Sequence, residues 1–155
     1  MASEQGLDPR QFNTIAMLGQ AYSLLGFRIV SGVVGSGHPI KPSHSAVFAQ
    51  IRPQGSRLTE LAAGANITAQ SMGEIVDELE DLGYVTRRPD PTDRRAKLIT
   101  LTARGIAAVE AGEATIVGIE DDITAVLGPQ RHRELRTMLM ELLAAPPSRS
   151  GSPEP

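Results

Sequence analysis

Two groups of residues have the types and spacing needed to touch a nucleic acid. The first is the polar run Thr68-Ala69-Gln70-Ser71, which stands immediately before an apolar stripe. A carboxamide such as that of Gln70 offers a donor and an acceptor side by side, the complement of an adenine edge in the major groove. The hydroxyls of Thr68 and Ser71 can reach bases or phosphates. The second group is the tip PDPTDRRA, residues 89–96, between two β-prone runs. Arginines on such a tip suit a narrow minor groove, where negative potential is concentrated. From Tyr84 to Arg104 six basic residues stand against two acids, a net +4 in a chain of formal charge −3. The stretch before it, Asn66 to Gly83, holds five acids and no Lys or Arg, a net −5.

Other chemistries find no support. With no Cys, there is no disulfide framework, thiolate nucleophile, iron–sulfur site or Cys-based zinc site. The three histidines, His38, His44 and His132, form no His-x3-His pair, so neither a metal nor any other cofactor is expected. Gly32-x-x-Gly-x-Gly37 has no preceding strand and no Lys-Ser/Thr after it, which makes it a linker and not a nucleotide loop. No Gly-x-Ser-x-Gly, His-Glu-x-x-His or paired-carboxylate arrangement points to an enzyme. The opening MASEQGLDPR is polar and acidic, unlike a signal peptide, and no unbroken apolar run approaches about twenty residues. These features lead to the expectation of a cytoplasmic chain without a membrane span.

The elements that must position the polar residues follow from periodicity and punctuation. Residues 11–30 read as a helix, with apolar residues every three or four positions, and Gly32 to Pro42 as a break. Ser43 to Ile51 reads as a short helix capped by Ser43, and Leu58 to Ala65 as a second, with Thr59 as a possible cap. Gly64-Ala65-Asn66 makes a tight turn. Thr68 then opens a longer helix to about Leu82, in which Met72, Ile75, Val76, Leu79 and Leu82 form an apolar stripe that Gly83 stops. Tyr84 to Arg88 and Lys97 to Leu101 read as strands of a hairpin with a basic tip. Thr102 caps a helix running from Ala103 to about Val126, and Gln130 to Ala144 is the last helix. The PPSRSGSPEP tail is low in complexity and expected to be disordered. The expected fold is mainly α with a small β-hairpin, an α+β winged helix-turn-helix.

The run from Leu58 to Gly105 resembles the DNA-binding core of the MarR family of bacterial transcriptional regulators. The resemblance lies in Leu-Thr-x-Leu-Ala at Leu58 to Ala62 and Val-Asp-x-Leu-Glu-x-x-Gly-Tyr-Val at Val76 to Val85. It continues in Arg-Arg-Pro-Asp-Pro-x-Asp-Arg-Arg at Arg87 to Arg95 and Leu-Thr-x-x-Gly at Leu101 to Gly105. It implies a single domain over residues 1–155. Residues 43–102 would be the DNA-binding lobe, 11–30 and 103–144 the helices that interleave with a second copy, and 145–155 a tail. It further implies a homodimeric repressor on a palindromic operator, relieved by a small aromatic or phenolic effector. In the wing, Asp93 would orient the tip and Arg95 enter the minor groove, with Arg94 on a phosphate.

The DNA contacts expected are therefore Thr59, Thr68, Gln70, Ser71, Asp93, Arg94 and Arg95, and the residues expected to line an effector site are Tyr22, Arg28, His44 and Phe48. One departure stands out: Ala69 and Glu74 occupy positions where such a helix often carries a basic residue, leaving phosphate attraction to the wing, Arg52 and Arg57. The alternative reading is a winged helix used for protein–protein contact with DNA binding weakened or lost.

Overall fold

The computed structural model describes residues 13–93 and 95–144. They form two compact units, one ending at Ile116 and the other starting at Val117. The expected fold class is observed: helices dominate, and a small antiparallel sheet forms the wing.

The first helix, α1, spans Thr14–Gly35, with the Asn13 side chain accepting the Ala16 N–H at 2.9 Å. It runs beyond Val30, through glycines expected to break it. A helical glycine costs roughly 1 kcal/mol relative to Ala, and burial of Val33 in the core offsets that. The chain leaves the helix at Gly37, where φ is +89°. By length and composition α1 is also apolar enough to cross a bilayer, which corrects the expectation of no membrane-length segment. Its large apolar residues are interrupted by Gly, Ala and Ser, which break the run without adding charge.

A 3-10 turn at Pro42–His44 leads into α2, Ser45–Phe48. The expected helix over residues 43–51 is thus much shorter, and Ser43 does not cap it. The Lys41 N–H is taken by His44 Nδ1, so the entry is tied by an imidazole instead. Next come β1 (Ser56–Arg57) and α3 (Leu58–Ala65). Thr59 lies inside the first turn of α3 and is not its cap. Arg57 occupies the cap position, and its N–H donates to the Glu60 carboxylate at 2.8 Å. Asn66 adopts a left-handed conformation, φ +55°, which short polar side chains tolerate, and this turns the chain sharply. As expected, Thr68 caps the next helix, α4 (Ala69–Asp81), accepting the Ser71 N–H at 3.1 Å.

The apolar stripe of α4 sets its roll. Met72, Val76 and Leu79 are fully buried, and they pack in one core with Val47, Leu61, Tyr84, Val85 and Ile99. The sheet order is β1-β3-β2, with β2 at Val85–Pro89 and β3 at Lys97–Leu101. Arg87 pairs with Ile99 across the hairpin, and Ser56 with Ile99 on the other side. The third strand, β1, was not expected, because two residues are too short to show an alternating pattern.

Helix α5 (Ala103–Leu127) starts hard against the wing. Thr102 caps it, accepting the Gly105 N–H at 3.1 Å while its own hydroxyl donates to Gly83 O at 2.6 Å. In the second unit Gly128, φ +79°, turns the chain into α6 (Pro129–Ala144). There Glu120 receives both His132, at 3.2 Å, and Arg136, at 2.9 Å. The tail expectation falls on residues outside those described.

A Cβ at Gly105 would lie 2.1 Å from the Tyr84 carbonyl oxygen, a backbone atom that cannot step aside. Gly105→Ala is therefore expected to destabilise the winged-helix unit by about 1–3 kcal/mol, as overpacking does. A thermal melt followed by circular dichroism checks this, and an unchanged melting temperature would contradict it.

Candidate nucleic-acid interface

With Met72, Val76 and Leu79 facing inward, helical geometry turns the opposite side of α4 to solvent. Gln70, Ser71, Glu74, Asp77 and Asp81 are all exposed there. Thr68 and Ser71 sit at the N-terminus of this 13-residue helix, where backbone N–H groups and the helix dipole favour a phosphate. The Thr68 hydroxyl donates to Ser71 Oγ at 2.9 Å, which orients both groups. Gln70 Nε2 reaches Glu74 Oε1 at 3.5 Å, a weak contact that leaves the Gln70 carbonyl oxygen open. Thr59 is exposed on the first turn of α3.

The wing is held by a carboxylate that the sequence reading passed over. Asp90, buried at the end of β2, accepts the Thr92 N–H at 2.8 Å and the Thr92 hydroxyl at 2.7 Å. Its other oxygen accepts Arg57 Nε at 2.8 Å and Nη2 at 2.6 Å. Bonds from Thr92, then the Arg57 guanidinium, pull the Asp90 carboxyl down from 3.8 to about 2. The signal was present in the sequence, since an Asp two residues before a Thr in a turn commonly bonds that backbone. Asp93 makes the analogous bond one step on, accepting the Arg95 N–H at 3.0 Å. The tip thus has two carboxylate anchors, where one was expected.

These contacts also sort the basic residues. Arg87 is bound to α4 through Glu80 and through Asp77 at 2.6 Å, so it fastens the wing to the helix. Arg104 stacks on Tyr84, 4.6 Å from the ring centre, and donates to Leu82 O at 2.9 Å. Arg57 holds Asp90, and Arg52 pairs with Glu60 at 3.1 Å, so both supply less free charge than the sequence suggested. Arg88, Arg95 and Lys97 are exposed, with no ion pair among the described residues. Arg94 lies outside the described residues.

A cleft of about 690 Å³ opens in the first unit between α1, the segment 40–49 and the start of α5. Tyr22 and Phe48, two of the expected effector residues, line it; Arg28 and His44 do not. His44 is fully buried on the other side of the segment. Because its Nδ1 accepts the Lys41 N–H at 3.2 Å, its Nε2 carries the proton and donates to Glu78 Oε2 at 3.0 Å. Lys41 Nζ reaches the same oxygen at 2.8 Å. Bonds from Lys41 first, and His44 second, lower the Glu78 carboxyl from its ordinary value. Residues of one segment therefore alternate: Ile40, Pro42, Ser45 and Phe48 face the cleft, while Lys41 and His44 grip α4. Among the described residues no three His, Asp or Glu side chains gather as a metal-binding group.

Residues 38–96 match the model of the MarR family. Of solved structures, the chain is similar to a transcriptional repressor, CouR, bound to a 23-mer DNA duplex. That match has a TM-score of 0.72 and 24% identity and covers 91% of this chain and 99% of that one. It is also similar to the Mycobacterium tuberculosis MarR family protein Rv2887 in complex with salicylic acid, with a TM-score of 0.63 and 26% identity over 84% of this chain and 96% of the other. A Thauera aromatica protein, assigned to transcriptional regulation of the hcr operon, is 28% identical over 82 residues, 53% of this chain. The match spans about half, 49%, of that relative's length.

A carboxyl whose value is lowered on folding stabilises the fold fully above its unfolded value of about 3.8, and that contribution is lost as pH falls toward about 2. The wing tip is therefore expected to stay ordered at pH 4 and to loosen between pH 4 and 2. In Asp90→Asn it should be loose already at neutral pH. Amide exchange at Thr92 reads both, and an unaltered Thr92 amide in Asp90→Asn would remove Asp90 as the anchor.

Proposed function

We propose that the chain, whose residues 38–96 match the model of the MarR family, acts as a homodimeric repressor on a palindromic operator and is released by a small aromatic or phenolic effector. The carrying observation is the joined reading head. Gln70 and Ser71 stand on the exposed start of α4, and Arg95 stands on a wing that Arg87 bonds directly to α4. Helix and wing thus approach DNA as one piece, α4 in the major groove and Arg95 in the adjacent minor groove.

Dimerisation is supported by apolar faces that each unit leaves in water. On α1, Ile15, Tyr22 and Phe27 are 84%, 79% and 69% exposed. On α6, Met138, Met140, Leu142 and Leu143 are exposed, Leu143 to 86%. Faces of this size mark an interface in an aqueous compartment, and a second copy would cover them by a two-fold axis. The same cover accounts for the bilayer-like composition of α1 without placing it in a membrane, and fits a cytoplasmic regulator.

Effector release is supported by the alternation in segment 40–49. An occupant of the cleft displaces Ile40, Pro42 or Phe48, and the same backbone carries Lys41 and His44 on Glu78. The recognition helices then shift from the spacing of about 34 Å that successive major grooves demand. The exposed acids Glu74 and Asp81 favour one second reading, a winged helix that docks on protein.

Fluorescence anisotropy against the DNA flanking the protein's own gene tests the assignment at two salt concentrations. Arg95→Ala is expected to weaken binding by about 1–3 kcal/mol and to lower the salt slope by about 0.9, with the fold intact. No binding at low salt, to that DNA or to a random library, would favour the protein-docking reading. Sedimentation should give twice the chain mass, and Leu142→Asp with Leu143→Asp should give a single chain. A monomeric parent protein would refute the dimer.

A further inference from the structure

Glu74 is the acid that the fold leaves untied near the leading end of α4. Asp77 and Glu80 hold Arg87, and Glu78 holds Lys41 and His44. Asp81 closes the helix, roughly 16 Å along the axis from Gln70 at 1.5 Å per residue. Glu74 stands one turn from Gln70, on the same exposed side. Its contact among the described residues is the Gln70 carboxamide, whose Nε2 lies 3.5 Å from Glu74 Oε1. The side chains around the pair are short or turned inward: Ala69, Ser71 and Gly73 are small, and Met72 and Val76 are buried. Gln70 and Glu74 are therefore the long polar side chains that the first two turns present.

A helix seated in the major groove deeply enough for Gln70 to reach a base edge brings Glu74 to the neighbouring edges. A carboxylate only accepts hydrogen bonds, and there it stands between two rows of phosphates. Losing its water without gaining a donor is costly. The major groove offers two donors, the N4 amino group of cytosine and the N6 amino group of adenine. Adenine sets its N7 acceptor beside the amino group, guanine offers the acceptors O6 and N7, and thymine offers an acceptor and a methyl group. Cytosine alone presents a donor with no acceptor on its own edge. A carboxylate at this position gains a charge-assisted bond over cytosine and is repelled by the other edges.

We infer that Glu74 is a specificity-determining residue, accepting a hydrogen bond from the N4 amino group of one cytosine in each half-site. The inference rests on the DNA-binding reading above and deepens it by naming a base. The same charge weakens binding to DNA at large, so discrimination and general affinity pull in opposite directions at this residue.

The test is selection of duplexes from a random-sequence library by the full chain. Anisotropy on the selected duplex and its single-base-pair variants then compares the parent protein with Glu74→Ala. The selected half-site is expected to hold a C·G pair whose replacement weakens parent binding at least about fivefold, the effect of one lost base contact. Glu74→Ala should abolish most of that penalty, keep the preferences at the other positions and bind random DNA more tightly than the parent. Glu74 is exposed, so the variant is expected to keep the parent circular dichroism. An acid that merely repels phosphate would, on removal, raise affinity for all duplexes alike and leave every base preference intact. That result would overturn the inference and spare the DNA-binding reading. So would a loss of preference in Glu74→Ala at some pair other than C·G. Failure of the parent to select any sequence would overturn the DNA-binding reading, and the inference with it.

Discussion

Tyr84 is the residue on which the winged-helix unit converges. It follows the glycine that ends α4 and precedes the first residue of β2, and it is fully buried. Its carbonyl accepts the Thr102 N–H at 3.0 Å and meets Gly105 so closely that no side chain fits there. Its ring packs edge-on against Phe48, supports Arg104 and lies near His38. One residue thus ties the end of α4 to the root of the wing, the start of α5 and the segment after α1. A buried aromatic of this size contributes area that several smaller residues could not supply in the same volume. In a chain with so few aromatics, little else could serve as that joint.

The charge separation seen along the sequence becomes, in the structure, a set of ties. The five acids of α4 looked like an obstacle to DNA binding. Three of them are engaged: Asp77 and Glu80 hold Arg87, and Glu78 holds Lys41 and His44. Each tie links α4 to a different neighbour, the wing on one side and the segment at the cleft on the other. Exposed ion pairs individually contribute little to stability, so their weight here lies in geometry. They fix the angle at which Gln70 and Ser71 are offered and the reach of Arg95 relative to them. Glu74 and Asp81 remain as exposed negative charge, so in the proposed function DNA affinity would rest on few free cations.

Much of this was legible before the structure, where signals are local. The α4 stripe, the Thr68 and Thr102 caps, the Gly83 stop and the β3 strand each rest on one or two residues obeying a short-range rule, and each is found where expected. The winged-helix class followed from their order. What escaped was non-local or very short. β1 is two residues long and exists because β3 is beside it. Arg57 and Asp90 are thirty-three positions apart, and no spacing rule joins them. The extension of α1 through its glycines came from Val33 finding the core, a tertiary gain that outweighs local propensity. His44 was expected to face a ligand on the strength of the family resemblance. Its burial depends on a carboxylate from α4, which sequence adjacency does not reveal.

The ties also determine what a switch in this protein has to move. α4 is about 20 Å long, and Glu78 stands two turns from Gln70. A displacement at Glu78 therefore reaches the base-facing end as a tilt of a rigid rod. Since Arg87 joins the wing to the same helix at Asp77 and Glu80, the tilt carries the wing along. A ligand that shifts the segment 40–49 would then disturb major-groove and minor-groove contacts together, and neither could compensate for the other. Linkage makes the coupling reciprocal: DNA that holds α4 in place must weaken the effector by the same factor by which the effector weakens DNA. The three bonded groups Lys41, His44 and Glu78 are the material through which that free energy passes in the proposed switch. For that reason the residues most worth attention lie between the two ligands and touch neither.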